Sequence, residues 1–498
     1  MLEKVLIANR GEIAVRVIKS CQHMGIKTVA VYSDVDEEAP HVQAADESVS
    51  LGDPVPSESY LNIPKIIRIA KEVGADAIHP GYGFLAENPD FAKACEDSGI
   101  KFIGPTSKVI AHMGNKIEAK KSMEEAGVPV IPGYHGIDQD TGTLVEEGKK
   151  VGFPLLVKAT AGGGGKGMKI VREEKDLKSS IESAKREAKS AFGDESVFIE
   201  RYLERPRHIE FQILADEHGN VVHLFERECS IQRRHQKIIE ETPSPLMSPE
   251  LREEMGRAAV DAAEAVGYTN AGTVEFMVDS DLNFYFMEMN TRLQVEHPVT
   301  EETTGVDMVK WQLKIADGQE LTLSQEDIKQ LGHSIQCRIY AEDPANGFLP
   351  STGMLEKIDP VSGPGVRLDT GIKPGIKITP YYDPLLSKLV VKGENREESL
   401  NKMKWALSNY AILGVKTNIA FLKEVIDHPS FKNGDLTTHF IEDHFSEWGT
   451  SEDSIPIDAL ISLAVYDSMH PKRDEVVKYK EPDPHSPWKS AGKWRIGV

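Results

Sequence analysis

The polarity pattern divides this chain into three folded regions and a tail. In the first hundred or so residues, short apolar runs alternate with stretches whose apolar residues recur every three or four places. "KVLIAN" (from Lys4), "KTVAVYSD", "ADAIHPGYG" and "IKFIGP" read as buried strands. "GEIAVRVIKSCQHMG", "IPKIIRIAKEVG" and "DFAKACEDSG" read as the helices between them. Strands separated by helices of this length predict a parallel, doubly wound α/β sheet. Ligands of such sheets bind beyond the carboxyl ends of the strands, which is where "HPGYGFLAEN" begins at His79.

From about Lys116 the pattern changes to α+β. A helix, "NKIEAKKSMEEAG", leads into "VPVIPGYHG", followed by the strand "FPLLVKAT", a glycine loop, the strand "KGMKIV", a long polar helix to about Ala191, and "SVFIERYL". The alternating runs "RHIEFQILAD", "NVVHLFERE", "AGTVEFMVD" and "NFYFMEMN" predict antiparallel strands. A third α+β region from about Gly332 carries "HSIQCRIYAED", "TGMLEKID" and "SKLVVKG", then a helix over "REESLNKMKWALSNYAIL". The expected divisions are 1–115, 116–325 and 332–446, with a polar tail at 447–498 whose one apolar-periodic stretch is "IDALISLAVYDSM". One segment alternates more strictly than any other. In "EMNTRLQVEHP", Glu288, Asn290, Arg292, Gln294 and Glu296 occupy every second place. An extended chain would set these five polar groups in one row, about 6–7 Å apart.

Composition narrows the function classes. A length of 498 residues fits roughly three domains. A formal charge of −21 argues against nucleic-acid binding, which needs clustered Lys and Arg. No apolar run approaches the roughly 20 residues of a membrane span, and "MLEKVLIANRGE" lacks a signal peptide's layout. Cys21, Cys95, Cys229 and Cys337 are scattered without a C-x-x-C pair, which supports neither zinc nor a disulfide framework and makes a reducing cytoplasm the expected compartment.

Two features carry chemistry. "KATAGGGGKGMKIV" contains G-x-G-x-x-G at Gly162, Gly164 and Gly167, but a strand follows it rather than the helix a dinucleotide site needs, and it is not a Walker A loop. A glycine loop between two strands is either a mobile surface hairpin or a flap whose bare amides close over phosphate. Lys158, at the end of the strand before it, favours the flap. Glu275 in "GTVEFMV" and Glu288 in "FYFMEMN" lie on apolar strands, where a carboxylate is costly unless paired or bound to metal. With Asn290 they offer the hard oxygen donors that magnesium takes.

A lysine before a glycine flap, with carboxylates on later strands, resembles the ATP-grasp fold. "HPGYGFLAEN", "CSIQRRHQK" and "EMNTRLQVEHPVTE" resemble, in order and spacing, the biotin carboxylase family over about residues 1–445. The resemblance implies an N-terminal parallel-sheet domain, an ATP-grasp domain with a mobile lid at about 133–203, and a C-terminal α+β domain. Position by position, it implies that Lys116 and Lys158 meet the ATP phosphates and that Gly164 and Gly165 lie in the flap. Glu200, Arg201, Tyr202 and Leu203 would border the adenine, with His208, Gln232 and His235 around the nucleotide. Glu275, Glu288 and Asn290 would hold the metal. Lys237, Arg292, Gln294, Val295 and Glu296 would form the bicarbonate site, with Arg338 beside biotin.

The residue chemistry agrees with this assignment. A guanidinium fork suits a small planar anion, and Lys237 adds charge. A carboxylate such as Glu296 beside a bound anion makes sense as the general base that removes bicarbonate's proton. The family's reaction uses ATP with magnesium or manganese, two ions in all, and passes through carboxyphosphate to carboxylated biotin. No "A-M-K-M" motif occurs, so the biotin is expected on a separate carrier protein, with a carboxyltransferase subunit supplying the final acceptor and the chain forming a homodimer. A carbamoyl-phosphate-type enzyme would lack "QVEHP", and a regulatory module without catalysis would show gaps among the lysines and carboxylates. The tail, with Trp488, Lys493 and Trp494, is expected to dock a partner subunit.

Overall fold

The computed structural model describes residues 2–136, 138–160, 168–449 and 457–469. The first region is a parallel sheet of β1 (Lys4–Ile7), β2 (Lys27–Ser33), β3 (Glu47–Gly52), β4 (Ala77–His79) and β5 (Lys101–Phe102), in the order β3-β2-β1-β4-β5. Its flanking helices include α1 (Gly11–His23), α2 (Pro40–Ala44), α3 (Ile63–Glu72) and α4 (Pro89–Asp97). The doubly wound expectation holds. The sequence reading missed β3, "ESVSLG", because its polar and half-exposed residues mark an edge strand and not a buried one.

Two helices, α5 (Ser107–Gly114) and α6 (Lys116–Glu125), lead into the second region. Asn115 caps α6 by accepting the N–H groups of Ile117 and Glu118, which seats Lys116 at the first helical position. A small antiparallel sheet then pairs β6 (Gly133–Tyr134), β7 (Leu155–Ala159), β8 (Met168–Val171) and β9 (Val197–Arg201). One face packs on α7 (Thr141–Val151) and α8 (Glu174–Phe192) through Leu144, Leu155, Val157, Leu177, Ile181 and Ile199. The other face carries Lys158 and Glu200. Gly164 and Gly165 lie outside the described residues.

The central sheet has eight strands. Its order is β14 (Phe284–Asn290), β13 (Asn270–Val278), β10 (Arg207–Ala215), β11 (Val221–Arg233), β12 (Gln236–Thr242), β15 (His333–Tyr340), then Leu385–Gly393 and Val366–Thr370. All its pairings are antiparallel, as the alternation predicts. The sheet therefore runs unbroken from the ATP-grasp region into the C-terminal one. Helix α9 (Pro249–Ala265), whose alanine-rich face packs on β10 and β13, was not read from the sequence.

Two expectations are corrected. The helix "REESLNKMKWALSNYAIL" stops at Asn409, because Ala411–Leu413 pairs with Lys357–Asp359 as a strand. The strand carrying the strictest alternation stops at Asn290. Residues 291–296 are irregular, and a new helix, α10 (His297–Thr304), begins immediately after Glu296. The five polar groups therefore do not form one row along a strand.

Residues 449–498 form a separate unit, in which Ile457–Met469 is a helix. Ile457, Ile461, Val465 and Met469 are exposed at four-residue spacing, and so share one face. Trp488, Lys493 and Trp494 lie outside the described residues.

Candidate active site

The row suggested by the sequence exists, but it runs across strands. Glu210 on β10 lies directly opposite Glu275 on β13, and Glu275 opposite Glu288 on β14. Register partners share a sheet face, so three carboxylates stand side by side. Burying such a row requires cations. Lys237 on β12 supplies one: its ammonium donates to Glu210 at 2.5 Å, and to Glu275 and Glu296 at 2.8 Å each. Arg227, fully buried on β11, supplies another, donating to Glu210 at 2.6 Å and also to Gln212, Thr273 and Thr300.

Glu296 is 0% exposed, and each of its oxygens faces a cation. Oε1 takes Lys237, and Oε2 takes Arg338 Nη2 at 2.9 Å. Burial and neighbouring Glu210 push its carboxyl up, but Lys237 and Arg338 outweigh them and hold it below the ordinary range. Burial pulls the Lys237 ammonium down, and the three glutamates push it well above normal. The pair is thus a carboxylate and an ammonium at neutral pH. Arg338 is gripped in turn by Glu240, which accepts from its Nε at 2.5 Å and from Gln336 at 3.0 Å. Burial raises the Glu240 carboxyl to about 7, although Arg338 opposes the shift.

The irregular 291–296 segment bends the remaining groups toward this cluster. Asn290 and Gln294 both donate to Glu275 Oε1, at 2.7 and 2.9 Å. Arg292 donates to Gln294 Oε1 at 2.8 Å and to Asn290 Oδ1 at 3.2 Å. Val295 sits half-buried between Gln294 and Glu296. His208 Nε2 lies 2.8 Å from Glu275 Oε2, and its Nδ1 lies 2.7 Å from the Gln232 amide. Burial pushes the Glu275 carboxyl up, but Lys237 and His208 bring it below the ordinary value. Glu288 makes no hydrogen bond or ion pair among the described residues, and burial beside Glu275 raises its carboxyl.

A second cluster lies on the lid face. Lys158 donates to buried Glu200 at 2.8 Å, and Lys120 on α6 also pairs with Glu200. Burial, reinforced by Lys116, lowers the Lys158 ammonium to about 8. Arg201 ends β9, and Tyr202 and Leu203 follow it. The backbone N–H groups of Arg201 and Tyr202 donate to Pro132 and Pro154. His235 stands apart from both clusters. It is exposed in the two-residue turn between β11 and β12, where both Arg234 and His235 have positive φ, 50° and 67°. That turn usually takes Asn or Gly, so two larger side chains are held there against preference.

The structure thus joins Lys237, Glu275, Asn290, Arg292, Gln294, Glu296 and Arg338 in one hydrogen-bonded network, with His208, itself bonded to Gln232, 2.8 Å from Glu275. The sequence reading missed Glu87, Lys120, Glu210, Arg227 and Glu240. Glu210 was within reach, since an acid inside the apolar run "RHIEFQILAD" meets the same criterion that selected Glu275.

Comparisons with known proteins identify the domains that carry this site. Family models match consecutively: biotin carboxylase, N-terminal domain, at residues 1–110; carbamoyl-phosphate synthase L chain, ATP binding domain, at 115–324; and biotin carboxylase C-terminal domain, at 336–443. The chain is 53% identical to the alpha subunit of mitochondrial methylcrotonoyl-CoA carboxylase from Dictyostelium discoideum, over 99% of this chain and 70% of that one. It is 53% identical to biotin carboxylase 2 of Bacillus subtilis, over 89% of this chain and the whole of that protein. A similar solved structure is the biotin carboxylase domain dimer of the Hydrogenobacter thermophilus 2-oxoglutarate carboxylase with MgADP, ADP and bicarbonate. It matches at TM-score 0.83 and 50% identity, covering 89% of this chain and 98% of that one. The fold, the order of the matched domains and identity of 50–53% to these proteins over most of its length place this chain in the biotin carboxylase family, as an ATP-dependent ligase.

Proposed function

We propose that this chain carboxylates biotin carried on a separate protein, using ATP and bicarbonate through carboxyphosphate, as the first half-reaction of an acyl-CoA or pyruvate carboxylase. The observation that carries the reading is Glu296, buried with one oxygen on Lys237 and the other on Arg338. A carboxylate kept ionised, beside an arginine and a lysine that would hold an anion, is suited to take bicarbonate's proton. Removal of that proton prepares an oxygen for attack on the γ-phosphate, with Lys116 and Lys158 to take up the phosphate charge.

The donor set fits a divalent cation. Glu275, Glu288 and the Asn290 amide oxygen are hard ligands, and Glu288 has no other partner among the described residues. Magnesium or manganese bound there would neutralise charge on the transferred phosphoryl group. Arg338, fixed by Glu240, is placed to stabilise the oxyanion of biotin's ureido group once carboxyphosphate has broken down to carbon dioxide and phosphate, the phosphate taking the ureido proton.

The carboxyl acceptor belongs to a carboxyltransferase partner, which the exposed apolar face of Ile457–Met469 would help to dock. Homodimer formation fits the same reading. No described helix is long and apolar enough to cross a membrane. The test is release of ADP with and without bicarbonate and free biotin. Turnover that requires both supports the reading, and turnover indifferent to biotin would contradict it.

A further inference from the structure

Arg292 is held from outside the central sheet. Glu87 accepts from its Nε at 2.8 Å through Oε2, and from the Thr291 backbone N–H at 3.2 Å through Oε1. Glu87 belongs to the loop after β4, and that loop is fixed at both ends. At its start, Asn9, two residues past β1, donates to the carbonyls of Pro80 and Tyr82, at 2.7 and 2.8 Å. The loop crosses so near that a Cβ on Gly81 would run into the Asn9 amide, and Gly81 also has φ of +63°. At its end, Asn88 caps α4 by accepting the Phe91 N–H at 2.9 Å. Glu87, the residue before this cap, is therefore presented by a rigid scaffold although its side chain is 41% exposed.

We infer that Glu87 is a positioning residue for the bicarbonate pocket, through which the N-terminal parallel sheet sets the orientation of the Arg292 guanidinium. The inference rests on the proposed role of Arg292 in binding bicarbonate. Its direction follows from the other charges facing that arginine. Glu296 and Glu275 also attract the guanidinium. With Nε tied to Glu87, Nη1 reaches Gln294 and Nη2 reaches Asn290, so the fork spans the pocket. Without Glu87, the long side chain is free to swing onto Glu296. It would then neutralise the base and close the space where the anion binds. The simultaneous hold on the Thr291 amide fixes the first residue of the irregular 291–296 segment, so one carboxylate sets both side chain and backbone.

The test compares Glu87→Gln with Glu87→Asp in the full-length protein. Glu87→Gln is expected to raise the KM for bicarbonate about tenfold, because small misplacements of a clamping group are costly, while the KM for ATP changes less than about twofold. Glu87→Asp keeps the charge on a shorter arm and should recover part of the loss. In an Arg292→Ala background, the Glu87→Gln change should have almost no further effect, as expected for two groups acting as a unit. A bicarbonate KM unchanged in Glu87→Gln, or a parallel rise in the KM for ATP, would overturn the inference. So would a Glu87→Gln effect that persists in full without Arg292. If Arg292→Ala itself leaves the bicarbonate KM unchanged, the failure lies with the role of Arg292 and not with Glu87's grip on it.

Discussion

Replacing Lys237 with methionine removes one ammonium from among three buried carboxylates while keeping a similar volume. At an effective dielectric of about 20, each contact near 2.8 Å is worth roughly 6 kcal/mol of gross attraction, most of it offset by the cost of burying the lysine. Losing one partner of such a buried set costs about 3–5 kcal/mol, because the remaining charges stay unpaired. Arg227 still serves Glu210 and Arg338 still serves Glu296, which places the cost toward the lower end. Unfolding entropy near 2 cal/mol/K per residue gives a chain of this size about 1 kcal/mol per degree, so the Tm should fall by about 3–4 °C at pH 8. The pH dependence has a definite sign. Lys237 holds the Glu275 and Glu296 carboxyls below their unfolded values, which stabilises the fold above the unfolded carboxyl pKa and loses that contribution as pH falls. Without Lys237 both groups titrate higher, so the gap between parent and variant should narrow toward pH 5. Differential scanning calorimetry at the two pH values, with ATP turnover on the same samples, is the assay. An unchanged Tm at pH 8, or a gap that widens on acidification, would refute the charge accounting.

Glu288→Gln should lower ATP turnover by about 10²-fold at ordinary magnesium, the scale of losing several kcal/mol of charge stabilisation, with the Tm nearly unchanged; normal turnover would remove Glu288 from the metal site. Burial lowers His41, His79 and His223 to about 4 each, so they fold as neutral rings. Below the unfolded value near 6.5 the unfolded chain binds more protons than the folded one, and stability should fall by up to about 1.4 kcal/mol per pH unit per ring between pH 6.5 and 4. A His41→Gln variant whose melting curve falls just as steeply over that interval would show that His41 plays no part. Deleting Ser451–Val498 should spare carboxylation of free biotin but weaken a pull-down of the carboxyltransferase; undiminished recovery of the partner would rule out docking by the tail.

What could be read from the sequence followed from local periodicity. The N-terminal strands and helices, the antiparallel strands and the Glu275–Glu288 pairing all lie in runs whose pattern repeats within a few residues. Glu288 and Glu296 were both placed by their alternation, but for a reason only half right. The strand ends at Asn290, and Glu296 reaches Lys237 because the chain turns into α10, not because an extended row continues. The missed residues share a different cause. Glu87, Arg227 and Glu240 matter through partners 205, 17 and 98 positions away, at Arg292, Glu210 and Arg338. No local pattern encodes such a pairing. The polar edge strand β3 and the alanine-faced α9 escaped because neither carries the strong apolar signature that marks a core element.

The central claim is that Glu296 is the base that activates bicarbonate. Glu296→Gln keeps size and polarity, leaves Arg338 a hydrogen-bond acceptor and cannot take a proton. The direct measurement is ATP turnover in parent and Glu296→Gln, each with and without bicarbonate and free biotin. The bicarbonate- and biotin-dependent rate should fall by at least about 10²-fold, while any slow hydrolysis of ATP by water alone survives far better. A variant that retains most of its bicarbonate-dependent rate would contradict the account and leave Glu296 as a structural partner of Lys237 and Arg338.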